Sequence, residues 1–372
     1  MSASYFSWRS QWIGLGMLWV ICLALGVPPA KADQSQFINA KVESQDASQG
    51  LEAAVERIAA DSQRPLWLAY QVDAVAGKHS TSCCDYRTDA HSPYCGICNL
   101  ENGHGQVTVQ QSQSQNTTVK LEQLAQVTVL LRVEQKHVMR IREASPDCEL
   151  DAGGLQVVYL TGVAPAQSVA LLAGYVSENG QERDGLTNEA LVAIAQHADS
   201  SADRVLADFV APNQPTWLRE KASFWLGAAR GKAGLQLLEK MAKSDPSGGI
   251  REKVAFAMFV SHEPEAVDDM IRMAKNDPEG HVRGQALFWL AQKAGQKASA
   301  AITGAIQNDP DTEVKKKAVF ALAQMPKDEG VPKLIEVAQN NKNPEVRKQA
   351  MFWLGQSNDP RALAFFEKIL SQ

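Results

Sequence analysis

The sequence predicts an α+β N-terminal domain followed by an all-α solenoid of about six 32-residue helical hairpins, and three observations carry that assignment. A basic residue recurs at Arg219, Arg251, Arg283, Lys315 and Arg347, and a phenylalanine at Phe224, Phe256, Phe288, Phe320 and Phe352, both at a step of 32. Three apolar columns keep that step from one unit earlier: Leu186, Leu218, Ile250, Val282, Val314, Val346; Ala190, Ala222, Val254, Ala286, Ala318, Ala350; Ile194, Leu226, Met258, Leu290, Leu322, Leu354. Upstream of about Gly180 the period gives way to short, alternating, β-branched segments.

At the N-terminus, Arg9 precedes an apolar run from Trp12 to Val27, then Pro28, Pro29 and Ala30-Lys31-Ala32. That order is the n-region, h-region and small-residue site of a secretory signal, so residues 1–32 are expected to be a signal peptide cleaved after Ala32. The run is shorter than the roughly 20 apolar residues a membrane helix needs. Cys22 lies within it behind Trp19-Val20-Ile21, a poor lipobox. The expectation is a periplasmic or secreted protein with no stable membrane insertion after cleavage.

Residues 33–183 form the expected first domain. Leu51, Val55 and Ile58 mark one helix. Leu66–Val72, Val107–Val109, Val119–Leu121, Val127–Val133, Val138–Ile141 and Gln156–Leu160 read as strands. Gln110–Thr118 reads as a hairpin loop, and Ala166–Val176 as a helix leading into the solenoid.

Residues 184–372 form the solenoid. Within a unit the core columns are four residues apart, which stacks them on one helical face. A second stripe follows, such as Leu235, Leu238, Met241 and Ala242. Asp245-Pro246, Asp277-Pro278 and Asp309-Pro310 then stop the helix, since proline neither donates to it nor permits helical geometry before it. Each hairpin leaves an apolar face that only a neighbour covers.

Segments such as Val282-Arg283-Gly284-Gln285-Ala286-Leu287-Phe288-Trp289-Leu290 and Val346-Arg347-Lys348-Gln349-Ala350-Met351-Phe352-Trp353-Leu354-Gly355 resemble the HEAT repeat family, in particular short bacterial HEAT-like repeats. The resemblance implies a ladder between units, built from an aspartate and an arginine six residues later: Asp245/Arg251, Asp277/Arg283, Asp309/Lys315, Asn341/Arg347 and, before them, Asn213/Arg219. Thr187 replaces the basic residue in the first unit, as suits a terminal cap.

A further column alternates large and small: Ala193, Trp225, Ala257, Trp289, Ala321, Trp353. Close packing predicts that each indole fills the space left by the next unit's alanine. The Phe column points about 145° from the core direction on a helical wheel. Five such residues in register are either a contiguous binding ladder or are buried between first helices. The contact candidates are therefore Phe224, Phe256, Phe288, Phe320 and Phe352, with Arg219, Arg251, Arg283 and Arg347 as a second set.

Cys83, Cys84, Cys95 and Cys98 lie close together near His79, His91 and His104, with Cys148 apart. Disulfides are expected in an oxidising compartment. Zinc binding is the alternative, and thiol chemistry a further one. The turn-prone Asn99–Gly105 after Cys95-Gly96-Ile97-Cys98 lacks the helix that activates a redox thiol.

The net charge of −5 argues against nucleic acid as a partner. Among enzymes with HEAT-like repeats, the deoxyhypusine hydroxylases need several His-Glu pairs, whereas this chain has His262-Glu263 alone. Bilin lyases act in compartments that conflict with export. No phosphate loop, nucleophile elbow or HExxH motif is present. The expected function is a non-enzymatic scaffold binding another protein, without a cofactor. The alternative is a metal or thiol site in the Cys cluster, with the solenoid recruiting substrate.

Overall fold

The segment Leu66–Asp73 is apolar on both alternating faces, which suits a strand covered on both sides. In the computed structural model, which describes residues 36–75, 98–101, 126–146, 148–179, 185–293 and 295–371, that is its position. The predicted signal, the strands at 107–109 and 119–121, the loop at 110–118, and Cys83, Cys84, Cys95, His79, His91 and His104 lie outside the described residues.

The strands are β1 (Gln36–Ile38), β2 (Lys41–Asp46), β3 (Leu66–Asp73), β4 (Cys98–Asn99), β5 (Gln126–Glu134), β6 (His137–Ala144), β7 (Glu149–Asp151) and β8 (Gln156–Thr161). A five-stranded sheet runs β2-β8-β3-β5-β6, parallel across β2, β8 and β3 and antiparallel across β3, β5 and β6. A smaller parallel sheet runs β1-β7-β4.

Helices α1 (Leu51–Asp61) and α2 (Pro165–Asn179) cover one face of the large sheet. There Leu66, Leu68, Tyr70 and Val72 join Leu51, Val55, Val169 and Leu172 in a core continuous with that of the solenoid. The small sheet covers the other face, where Trp67, Ala69, Leu130 and Tyr159 meet Cys98, Leu100, Cys148 and Leu150. Glu101 ties this cover down, accepting from Trp67 Nε1 at 2.7 Å and from Arg132 Nη2 at 2.9 Å.

Six hairpins follow: α3 (Gly185–Gln196) with α4 (Ser200–Phe209), α5 (Thr216–Ala229) with α6 (Gly231–Ser244), α7 (Gly248–Val260) with α8 (Ala266–Asn276), α9 (Gly280–Lys293) with α10 (Gln296–Asn308), α11 (Thr312–Gln324) with α12 (Lys327–Asn340), and α13 (Pro344–Gln356) with α14 (Pro360–Leu370). All three apolar columns are buried except Leu186, which packs half-buried against the core. Side-chain caps on backbone N–H groups start several helices, from Asp199, Ser247, Asp311, Asn343 and Asp359. The first helices α5, α7, α9, α11 and α13 pack directly on one another along the array.

The α/β region is joined to the solenoid by main-chain and side-chain bonds. Val75 N donates to Gln196 O and Ala198 N to Asp73 O, both at 2.8 Å, and Ile141 N donates to Glu189 Oε2 at 2.7 Å. Beneath them, Ser168 Oγ lies 2.8 Å from both Tyr70 Oη and His197 Nε2, while His197 Nδ1 lies 2.7 Å from Ala193 O. Arg230 closes the joint from the second hairpin, donating from Nη1 to His197 O at 2.5 Å and from Nε to Asp203 at 2.8 Å.

Candidate functional site

The basic column serves the junctions between hairpins. Arg251 donates from Nε and Nη2 to Asp277 at 2.7 and 3.0 Å and from Nη1 to Asp245 O at 2.8 Å. Arg283 repeats this with Asp309 at 2.8 and 2.9 Å and Asp277 O at 2.9 Å. Arg219 holds Asp245 through Nη1 and Gln214 O through Nε. An arginine thus grips the main chain of the loop before its own helix and the carboxylate of the loop one unit later. The aspartate six residues before it contributes a backbone carbonyl, and its side chain serves the preceding unit's arginine.

Each of those carboxylates also accepts the N–H two residues ahead, at Ser247, Glu279 and Asp311, which fixes the turn into the next helix. Burial pushes the Asp309 carboxyl up, but hydrogen bonds from Arg283 and its charge bring it below its ordinary value. The hydrogen bonds to Asp277 and Asp309 in turn hold the Arg251 and Arg283 guanidinium groups above theirs. Arg219, Arg251 and Arg283 are all buried, so as contact candidates they are turned into the array and not to solvent.

The ladder changes at its end. Lys315 Nζ reaches Gln307 O at 3.0 Å, and among the described residues the Asn341 side chain keeps only the turn-fixing bond from Asn343 N. Arg347 Nη1 docks on Asn341 O at 2.7 Å and Lys342 O at 3.2 Å, as Arg283 does on Asp277 O and Pro278 O. No carboxylate meets its Nε and Nη2 edge among the described residues.

The Phe column forms a half-buried ribbon of stacked rings along the first helices. Phe224 stacks on Phe256 with centroids 5.9 Å apart, and Phe288 on Phe320 at 5.9 Å. Between those pairs, Phe256 meets Trp289 at 4.7 Å and Phe320 meets Trp353 at 4.9 Å. Trp289 and Trp353 thus each meet the phenylalanine of the preceding unit and pack against the core. Phe259 widens the ribbon, stacking on Trp289 at 4.8 Å, with Lys293 Nζ 5.5 Å above its ring.

The ribbon is neither fully exposed nor fully buried. Phe224, Phe256, Phe288 and Phe320 are partly covered by their neighbours, whereas Phe352 is 53% exposed. The indole N–H groups of Trp289 and Trp353 are buried and have no acceptor among the described residues. Gln292, Gln324 and Gln356, one turn after the last three phenylalanines, are all exposed and border the rings with carboxamides.

Of the other chemistry-bearing groups, the network of Tyr70, Ser168 and His197 was not legible in the sequence. Ser168 and His197 have the separation of an activated hydroxyl and its base, but both are fully buried. Burial holds the His197 imidazole below its ordinary pKa, favouring the neutral ring. With Tyr70 and Ala193 O completing the network, its polar atoms are satisfied and its role is to fix the joint. A cavity of about 180 Å³ beside Trp353, lined by Leu322, Met325 and Leu334, is smaller than a typical ligand pocket. Cys98 lies in the small core with Cys148, a proximity produced by the β4–β7 pairing, and neither stands as a free thiol. His262 is exposed and Glu263 half-exposed in the turn after α7.

Residues 299–372 match the family model for HEAT repeats. No curated protein matches the chain. Among solved structures, human deoxyhypusine hydroxylase in complex with glycerol is similar at 14% identity and a TM-score of 0.27, over 55% of this chain and 90% of its own. The Escherichia coli protein YibA is similar at 16% identity and a TM-score of 0.33, over 55% of this chain and 75% of its own. Likeness at that level carries no argument about activity.

Proposed function

From the premise that the C-terminal solenoid is an array of HEAT repeats, we propose that the protein is a non-enzymatic scaffold that binds another protein along its aromatic ribbon. The observation that carries this reading is the stack running from Phe224 to Phe352 at constant stride. Rings held stacked and tilted against one another give a partner a rigid apolar surface, so little side-chain freedom is lost on contact. The exposed glutamine border offers hydrogen bonds that orient a partner. Arg219, Arg251 and Arg283 keep the stride of the array regular and are not contact residues in this proposal.

The α/β region holds the first hairpin and so covers one end of the array. The order of charge, apolar run and small residues before Ala32 supports export to the periplasm or beyond. An oxidising compartment in turn supports disulfides that include the buried Cys98 and Cys148. The net charge of −5 disfavours nucleic acid as partner.

Phe288→Ser and Phe352→Ser variants, expressed with the native leader, test the reading against capture of partner from an envelope extract. Loss of capture with unchanged helical circular dichroism supports it. Unchanged capture by both variants overturns it. Phe352 is the safer substitution for folding because most of its ring is already in solvent. Non-reducing peptide mapping of the same preparation reads the state of Cys98 and Cys148.

A further inference from the structure

We infer that the cavity between the fifth and sixth hairpins is a socket for one apolar aromatic ring, supplied by a phenylalanine side chain of the protein bound on the ribbon. The inference rests on the scaffold reading and names the anchor of that partner. The array itself identifies the ring, because the junction 64 residues earlier holds one in the equivalent place.

Between the third and fourth hairpins three rings pack together. Phe256 meets Trp289 with centroids 4.7 Å apart and planes at 41°. Phe259, one turn on in α7, stacks on the same indole at 4.8 Å and 27°. Lys293 Nζ sits 5.5 Å over the Phe259 ring and donates to Ser261 O at 2.8 Å. Between the fifth and sixth hairpins the equivalent pair, Phe320 and Trp353, keeps the geometry of the first two rings, at 4.9 Å and 40°. The third ring has no counterpart there, since Ala323 stands at the position of Phe259 and Ser357 at that of Lys293.

The cavity of about 180 Å³ lies where those two side chains are shortened. Ala323, Trp353 and Ser357 all line it, together with Leu322, Met325 and Leu334. Gln324 and Gln356 in its lining are exposed, so it opens at the surface. An apolar cavity of roughly 150 Å³ holds benzene, so this one has room for a single ring and is too small for an ordinary ligand. Its walls come from α11, α12 and α13, and the junction that shows its occupant lies inside the array. Trp289 Nε1 has no acceptor among the described residues even with Phe259 in place, so the ring needs no polar group. Trp353 belongs to the ribbon and to the cavity wall alike, so a partner lying along the rings can drop a side chain into the socket. A buried aromatic anchor within a wider apolar contact is the usual centre of such an interface.

Toluene, the side-chain analogue of phenylalanine, is the probe, titrated into the full-length protein and followed by saturation-transfer NMR. Saturable binding is expected, weakened about tenfold or more by Ala323→Phe, which puts a ring where Phe259 puts its own. Ala323→Met fills the same space with an adaptable chain and should weaken binding too, so the test survives a phenylalanine variant that fails to fold. Capture of partner from an envelope extract should fall in the same variants. Absence of saturable binding, or binding indifferent to both substitutions, overturns the inference. So does toluene binding that is lost while capture is unchanged, which would leave a free small aromatic molecule as the occupant. Phe288 does not line the cavity. Capture lost with Ala323→Phe but kept with Phe288→Ser would therefore overturn the ribbon reading and leave the socket, whereas the reverse would overturn the socket and leave the ribbon.

Discussion

Arg283 crosses a unit boundary to Asp309 with two hydrogen bonds, Nε to Oδ2 at 2.8 Å and Nη2 to Oδ1 at 2.9 Å, while its Nη1 holds its own loop at Asp277 O. Both partners are buried. Removing one leaves the other desolvated without its counter-charge, so Asp309→Ala should destabilise by ~3–5 kcal/mol in urea titration. The double substitution Arg283→Met with Asp309→Leu should cost far less, because no orphaned charge remains. The pair would then be seen to set register more than to supply net stability.

The rung between the fifth and sixth hairpins lacks this pair, since Lys315 bonds Gln307 O and Asn341 carries no charge. Installing it with Lys315→Arg and Asn341→Asp should stabilise by about 1.5–3 kcal/mol, the range for hydrogen bonds to charged groups. In a linear array the gain should be local. Amide exchange in α13 and α14 should slow, with little change in α5 and α6.

Two glycines at equivalent positions should respond oppositely to alanine. At Gly227 the new methyl would overlap the Ala257 carbonyl, and forcing the helices apart should cost about 1–3 kcal/mol. At Gly355 the methyl meets nothing, and the lower backbone entropy of alanine should stabilise by about 0.5–1 kcal/mol. Thermal melts of the two variants read the difference directly.

The joint between the sheet and the first hairpin should be acid-sensitive in a window of its own. Burial lowers the pKa of His197 in the folded protein, so below the imidazole's ordinary value the unfolded chain binds a proton that the folded chain resists. Stability should therefore fall as pH drops from about 7 toward 5, and level off once the folded pKa is passed. Asp309 and Asp199, whose pKa values are lowered on folding, lose their contribution only as pH falls below the ordinary carboxylate range. His197→Asn should remove the slope between pH 7 and 5 and leave the more acidic transition.

The solenoid was legible because identical packing at every junction forces identical residues into register. Columns such as Ala190 to Ala350 are the imprint of one contact repeated, and they gave helices and unit boundaries together. The arginine ladder was legible as a spacing, but the grip of Arg283 on Asp309 skips a whole hairpin and could be drawn only with both loops in place. In the α/β region β3, β5, β6 and β8 were found, while β1, β4 and β7 are too short to show a period and β2, with Val42 its one apolar residue, shows none. Tyr70, Ser168 and His197 meet across three distant segments, and nothing local in the sequence marks any of them.

The central claim is that the face carrying the stacked rings touches another protein, and position-specific photocrosslinking in living cells tests it most directly. A photoreactive phenylalanine analogue at position 288 or 352 should give a discrete adduct with one other protein, while the same analogue at the exposed Lys240 on α6 should give none. No adduct from either ring position, or the same adducts from all three, would contradict the account.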